Sequence, residues 1–130
     1  MAIELNHTII WSRDRRASAE FWADILGLEV GKEVHPFIQV KTHNSVDLDF
    51  ATVPNDDEIS PQHYAFLVSE EEFDHGFARL LELGLEYFAD PAAQQPGQIN
   101  HHDGGRGVYF HDPSGHNLEL ITQPYSAFAD

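Results

Sequence analysis

Hydrophobic positions along this chain follow first a strand-like pattern and then a helical one, and this order occurs twice. A β-like run at 7–11 precedes a segment with apolar residues at helical spacing, and a second run at 63–68 precedes another such segment. The apolar helix positions are Phe21, Trp22, Ile25 and Leu26 in the first segment and Phe73, Phe77, Leu80 and Leu81 in the second. Each half therefore predicts a strand followed by an amphipathic helix.

The ends of both helices carry recognisable signals. The letters LGLE occur once in each half, and their glycines, Gly27 and Gly84, predict helix C-termini. Asp14 is placed to cap the first helix, whereas Ser69 and Glu72 have the spacing of a capping box at the start of the second. Both helices are thus predicted with defined starts and stops.

The strands after each helix complete a repeat, because DLDFAT at 47–52 matches NLELIT at 117–122. The pattern predicts an α+β fold with a βαβββ unit stated twice in tandem, as module one at about 1–56 and module two at about 57–125. Neither half can bury its own sheet face and helix. We therefore expect one domain over 1–130, with the two modules packed together or paired with another subunit.

Two polar stretches interrupt this pattern, a linker at 54–61 and an exposed Gly- and Pro-rich loop at 90–107. The formal charge of −15 disfavours nucleic acid and anionic lipid as partners. The chain has no cysteine, and no segment has the roughly 20 apolar residues that would span a bilayer. A cytoplasmic protein without membrane or nucleic-acid partners is expected.

Matched positions of the repeat carry metal-binding residue types. His7 and His63 begin the first strands of the two halves, and Asp49 and Glu119 lie in the last strands. Two imidazoles and a carboxylate suit Fe(II), Mn(II), Co(II), Ni(II) or Zn(II) and leave coordination positions open. A lone histidine in a strand is more often structural, but two at matched positions beside matched carboxylates favour a metal site.

From NHTII to NLELI the chain resembles the vicinal oxygen chelate superfamily, which includes glyoxalase I, extradiol dioxygenases, fosfomycin-resistance proteins and bleomycin-binding proteins. The resemblance implies curled mixed sheets around a metal-binding cavity, and a homodimer. It also implies His7, His63 and Glu119 as metal ligands. Asp49 falls where glyoxalase-type members place a fourth ligand, although an aspartate is shorter than their glutamate.

The segment 100–121 is similar to the extradiol dioxygenase signature, which implies catalytic roles for Tyr109 and for His102, or else His101. Strand alternation sets a condition on Tyr109. If the hairpin loop had four residues, Tyr109 would point away from Glu119. A five-residue loop over 112–116 would place Tyr109 directly across from Glu119.

The resemblance departs from the dioxygenase pattern in module one. The position of the acid–base histidine falls near Ser45 or Val46, where there is none. His43 shares a strand face with this position, so it is retained as a substrate-binding candidate, together with Phe37 as an apolar cavity wall.

Several functions follow from the resemblance, all with a small-molecule substrate bound through vicinal oxygens. The first is Fe- or Mn-dependent ring cleavage of a catechol-like aromatic. The second is a glyoxalase-type isomerase or lyase that uses Zn, Ni or Co. A non-catalytic antibiotic or small-molecule binding protein is the third, and thiol transfer to fosfomycin is less favoured because the chain has only 7 Lys and Arg.

Overall fold

Seven strands and two α-helices are formed by residues 2–125, the part of the chain that the computed structural model describes. The strands are β1 (His7–Ser12), β2 (Val30–Val34), β3 (Phe37–Lys41), β4 (Asp47–Thr52), β5 (His63–Leu67), β6 (Gly107–His111) and β7 (Asn117–Ile121). The helices are α1 (Arg15–Leu26) and α2 (Glu70–Glu82). Residue 1 and residues 126–130, the ends of the domain expected from the sequence, lie outside the described part.

Both helices begin at the caps that the sequence predicts. The Asp14 carboxylate accepts hydrogen bonds from the first backbone N–H groups of α1. At α2 the capping box is complete, since Ser69 Oγ accepts from the Glu72 N–H and the Glu72 carboxylate accepts from the Ser69 N–H. Gly27 and Gly84 follow the two helices with φ of 67° and 66°, where a side chain would be strained.

The strands form two mixed sheets with matching registers. Sheet A has the order β1-β4-β3-β2 and sheet B the order β5-β7-β6. The pairs β1/β4 and β5/β7 are parallel, with His7 opposite Asp47 and His63 opposite Asn117. Asp49 and Glu119 are therefore equivalent positions, and the predicted α+β fold with two βαβββ-like modules is confirmed.

Module two differs from module one directly after its helix α2, where the βαβββ pattern predicts a strand. Phe88 forms only isolated bridges, to Pro96 and to Tyr109 on β6. The Asp90 carboxylate accepts from the N–H groups of Gln94 and Gln95, which folds the chain into a turn immediately after Phe88. Local turn chemistry thus replaces the strand.

The buried core joins the two modules. Trp22 of α1 is fully buried and its Nε1–H donates to the Asp112 carboxylate of module two at 2.9 Å. Helix α1 packs against α2, where Gly76 permits close approach: a Cβ there would lie 2.8 Å from Leu120 and 3.0 Å from the Ile25 carbonyl. Neither α-helix of the described residues has the length and apolarity needed to cross a membrane.

Candidate metal centre

His63 and Glu119 meet on the outer face of sheet B, the face turned away from the helices. His63 lies opposite Asn117 in the parallel β5/β7 pair, so Glu119, two residues further along β7, shares its face. The His63 Nε2 atom lies 3.0 Å from Glu119 Oε1. Glu119 is 1% exposed, which makes it a buried carboxylate next to an imidazole.

The surroundings of His63 place an acceptor at each ring nitrogen. Nδ1 lies 3.2 Å from the Asn117 carbonyl oxygen, which can only accept, so Nδ1 carries a proton and donates. In the neutral ring Nε2 then turns its lone pair toward the Glu119 carboxylate. Two acceptors at this distance require a cation between them, either a proton or a metal ion.

An imidazole nitrogen and a carboxylate oxygen are donor types that a divalent metal ion takes from a protein. His63 Nε2 and Glu119 Oε1 are 3.0 Å apart, the distance of a hydrogen-bonded ion pair, so one cation could lie between them. The Asn117 carbonyl at Nδ1 also fixes the ring in the tautomer that a metal needs at Nε2.

Tyr109 lies directly across from Glu119, because the hairpin has a five-residue loop. His111 pairs with Asn117 and Tyr109 pairs with Glu119, as the functional role of Tyr109 requires. The turn is held by the Asp112 carboxylate, which accepts from the backbone N–H groups of Ser114 and His116. The condition set by strand alternation is therefore met.

The phenol of Tyr109 is poised as a donor. Its ring stacks on that of His63, with centroids 6.0 Å apart and planes at 26°. Burial, followed by a hydrogen bond with Glu119 and the charge of that carboxylate, raises the pKa of Tyr109 well above its ordinary value. The hydroxyl consequently keeps its proton over the physiological range.

Tyr125 is a member of this cluster that sequence reasoning missed. Its hydroxyl donates to Glu119 Oε2 and lies 2.8 Å from the Tyr109 hydroxyl. The C-terminal tail has no apolar periodicity, so the sequence predicts no element there. A tyrosine six residues after the ligand candidate is the only signal in the sequence, and it does not predict a contact.

The predicted loop histidines lie at the edge of the cluster. His102 is exposed, and its ring centroid is 6.4 Å from that of Tyr125 in an edge-to-face arrangement. His101 is also exposed. The structure thus brings His102 next to the phenols, and a catalytic role for either histidine stays a prediction.

His7 and Asp49 lie on sheet A and do not join His63 and Glu119. His7 is exposed and its Nδ1 is 2.7 Å from the Asn6 side-chain oxygen. Asp49 is 7% exposed, and its Oδ1 has no hydrogen-bond partner. Among residues 2–125, no three His, Asp or Glu side chains are grouped so that they could hold a metal ion. One chain therefore brings together two of the three expected ligands, His63 and Glu119.

The two predicted substrate-binding residues are separated. His43 lies in the β3–β4 turn, 3.3 Å from the Glu72 carboxylate, and lines a cavity of about 700 Å³ that His63 also lines. Phe37 is half-buried on β3, opposite Ala51. Contact of either residue with a substrate stays a prediction.

A family comparison identifies the fold. A model of the Glyoxalase/Bleomycin resistance protein/Dioxygenase superfamily matches residues 4–120. The chain belongs to this superfamily. The matched span includes His7, His63, Tyr109 and Glu119 but ends before Tyr125. Tyr125, which contacts Glu119, thus lies outside the span that the superfamily model matches.

Two solved structures resemble this superfamily member over nearly its whole length. "Oxidase ChaP-H2" is 56% identical with a TM-score of 0.93, covering 97% of this chain and 98% of that one. "Oxidase ChaP-H1" is 54% identical with a TM-score of 0.91, covering 96% and 99%. Among curated proteins, "Glutathione transferase FosA" of Serratia marcescens is 30% identical over 125 residues, covering 92% of this chain and 81% of its own length. These similar proteins are named as enzymes.

Proposed function

We propose that this protein is a metal-dependent oxidoreductase that binds a small, catechol-like aromatic substrate through vicinal oxygens and opens its ring. The observation that carries the proposal is the position of Tyr109, directly across from Glu119 and stacked on His63. The 56% identity to a protein named an oxidase supports oxidative chemistry over the other reactions of the superfamily.

His63 Nε2 and Glu119 Oε1 would hold the divalent metal, Fe or Mn in this reaction. When bound, the cation acts as a Lewis acid toward both substrate oxygens. We propose His7 of a second copy as the third ligand, in a homodimer whose curled sheets enclose the cavity. The outer strand faces support this arrangement, since Ile9, Trp11 and Leu67 beside the two histidines are 41%, 46% and 62% exposed.

The other residues of the site bind the substrate and hold protons. The Tyr109 hydroxyl stays protonated and donates a hydrogen bond to a substrate oxygen as negative charge develops there. His102 would donate to the same region from the loop, where its ring lies edge-to-face with that of Tyr125. His43 and Phe37 complete the proposal as contacts for the substrate ring, although they lie on different parts of module one.

An isomerase or lyase reaction with Zn, Ni or Co is the second candidate, and Asp49 favours it. Asp49 is 7% exposed and its Oδ1 has no hydrogen-bond partner. Burial of such a carboxylate is unfavourable unless the oxygen binds a ligand. Asp49 would then be the fourth ligand or the group that moves a proton.

Thiol transfer and simple binding are less well supported. Among residues 2–125, five of the cationic side chains form ion pairs with carboxylates instead of facing the His63 cluster. These pairs are Arg15 and Arg16 with Glu33, Lys41 with Asp47, Arg79 with Asp24, and Arg106 with Glu70. A binding protein would not need the metal ion that we propose for the His63–Glu119 pair.

Elemental analysis of protein purified without added metal or a histidine tag tests the proposal. We expect about one Fe or Mn per chain, lost in His63→Ala and retained in His75→Ala, whose ring contacts α1 instead. A panel of catechols under air then reports ring cleavage. Retention of Zn, Ni or Co would support the second candidate, and wild-type protein that binds none of these metals would refute both.

A further inference from the structure

The C-terminal segment after β7 returns to the ligand pair and ends in a phenol that contacts it. The Tyr125 hydroxyl bonds to Glu119 Oε2, on the opposite side of the carboxylate from His63. The Tyr109 hydroxyl lies 2.8 Å from the same Tyr125 oxygen. Glu119 is therefore held from both sides, by an imidazole at one oxygen and a phenol at the other.

The direction of these hydrogen bonds follows from the chemistry of the groups. An ionised carboxylate can only accept, so the proton of Tyr125 points to Glu119. The Tyr125 oxygen can then accept from the Tyr109 hydroxyl, which also lies within hydrogen-bonding reach of Glu119. The bond from Tyr125 goes to Oε2, so it leaves Oε1 facing the His63 ring.

The tail is held in this position by the loop of the C-terminal signature. The Arg106 N–H donates to Thr122 Oγ1 at 2.8 Å, and the Thr122 N–H donates to the Arg106 carbonyl at 3.0 Å. A Cβ on Gly105 would lie 2.7 Å from both Thr122 Oγ1 and Gln123 Cγ. A side chain at residue 105 would therefore displace the side chains of Thr122 and Gln123 at the start of the tail.

Arg106 in turn anchors the loop to α2. Its guanidinium pairs with Glu70 at 2.8 Å and Asp74 at 2.9 Å, and it lies 4.4 Å above the Phe73 ring. A charged group with two carboxylate partners and an aromatic platform is well fixed. The tail that carries Tyr125 is thus joined to helix α2 in two steps: Thr122 bonds to the backbone of Arg106, and the Arg106 side chain bonds to α2.

We propose that Tyr125 is a positioning residue of the metal centre, which fixes the Glu119 carboxylate so that Oε1 faces the cation. This inference rests on the proposed function, because it assigns a task to Tyr125 at the same ligand pair. Partners that orient a metal-binding carboxylate typically change metal affinity by about 10- to 100-fold.

Metal affinity of the Tyr125→Phe variant tests the inference. Metal-free protein is titrated with Mn(II) and Co(II) by calorimetry and by competition with a chelator. We expect binding about 10-fold weaker than wild type, together with shifted visible bands of the Co(II) form. Tyr87→Phe is the matched control, because its ring packs on Phe77 away from this cluster, and it should bind as wild type does.

Gly105→Ala provides a second variant that displaces the tail without altering a phenol, and we expect it to weaken binding in the same direction. Thermal unfolding of the metal-free variants verifies that both are folded. The inference is overturned if folded Tyr125→Phe binds metal within twofold of wild type with an unchanged Co(II) spectrum. In that case loss of metal in His63→Ala would still uphold the proposed function, whereas a wild type that binds no metal would overturn both.

Discussion

The Glu119 side chain shows how one residue serves both the fold and the site. Its carboxylate is buried between the His63 ring and the Tyr125 hydroxyl, and the His63 tautomer leaves a lone pair facing Oε1. Without a metal ion, a proton between Nε2 and Oε1 must satisfy both atoms, because an acceptor that faces an acceptor is unfavourable. In the proposed function a metal ion at Oε1 takes the place of this proton.

Glu119→Gln separates these two effects. The amide oxygen can accept from Tyr125 while the amide nitrogen donates to His63 Nε2, so every polar atom is satisfied without a cation. We expect metal affinity to fall by more than about 100-fold while the metal-free variant unfolds at an equal or higher urea concentration than wild type. A metal-free variant less stable than wild type by over about 1 kcal/mol would contradict this.

At the scale of elements, the start of α2 has a pH-dependent cap. The Ser69 backbone N–H, above all, lowers the pKa of Glu72 by hydrogen bonding to its ionised form, and His43 contributes. Because the folded pKa lies below the ordinary value of 4.5, this stabilisation is present above pH 4.5 and is lost as the pH falls through the folded pKa.

Glu72→Gln tests this cap. The amide can still accept the Ser69 hydrogen bond, but it does not titrate, so the stability of the variant should fall less between pH 5 and pH 3 than that of wild type. Urea unfolding followed by circular dichroism at several pH values measures the difference. Parallel curves for the two proteins would show that other carboxylates cause the acid sensitivity.

The contact between α1 and α2 depends on Gly76. A methyl group there would meet Leu120 and the backbone of Ile25, which cannot move without shifting α1. We expect Gly76→Ala to lower the free energy of unfolding by about 1–3 kcal/mol, although alanine favours helices. Ala78→Gly, at an exposed position of the same helix, is the control and should lose only about 1 kcal/mol of helix propensity. Added stability in Gly76→Ala would show that the helices can move apart.

For the whole molecule, the separation of His7 from the His63–Glu119 pair is the decisive feature. Residues 2–125 of one chain hold no complete set of three ligands, and the histidines lie on different sheets. A symmetric dimer in which each copy gives His7 to the other would form two identical centres.

A heterodimer of His7→Ala and His63→Ala chains distinguishes this arrangement. In an exchanged dimer both changes fall in one centre, so the other stays intact and the purified heterodimer should bind about half the metal of wild type. Each homodimer should bind little. Centres built within single chains would each contain one changed ligand, and the heterodimer would then bind as little as the homodimers.

Local patterns in the sequence were sufficient for much of this molecule. The caps at Asp14 and Ser69, the repeat and the last strands all depend on residues near each other in the chain, and the structure confirms them. The register that places Tyr109 across from Glu119 is also local, because one turn sets it. Period-two alternation and turn length therefore determine the relative position of Tyr109 and Glu119.

Only the tertiary structure decided which distant parts meet. Tyr125 reaches Glu119 because the tail packs on Gly105, a contact between segments with no shared period. Phe88 forms bridges in place of a strand because a turn at Asp90 competes with strand pairing. The matched residue types indicated His7 and His63 as one ligand set, but their placement depends on how the modules pack, and packing through the helices α1 and α2 leaves the two histidines on separate sheets.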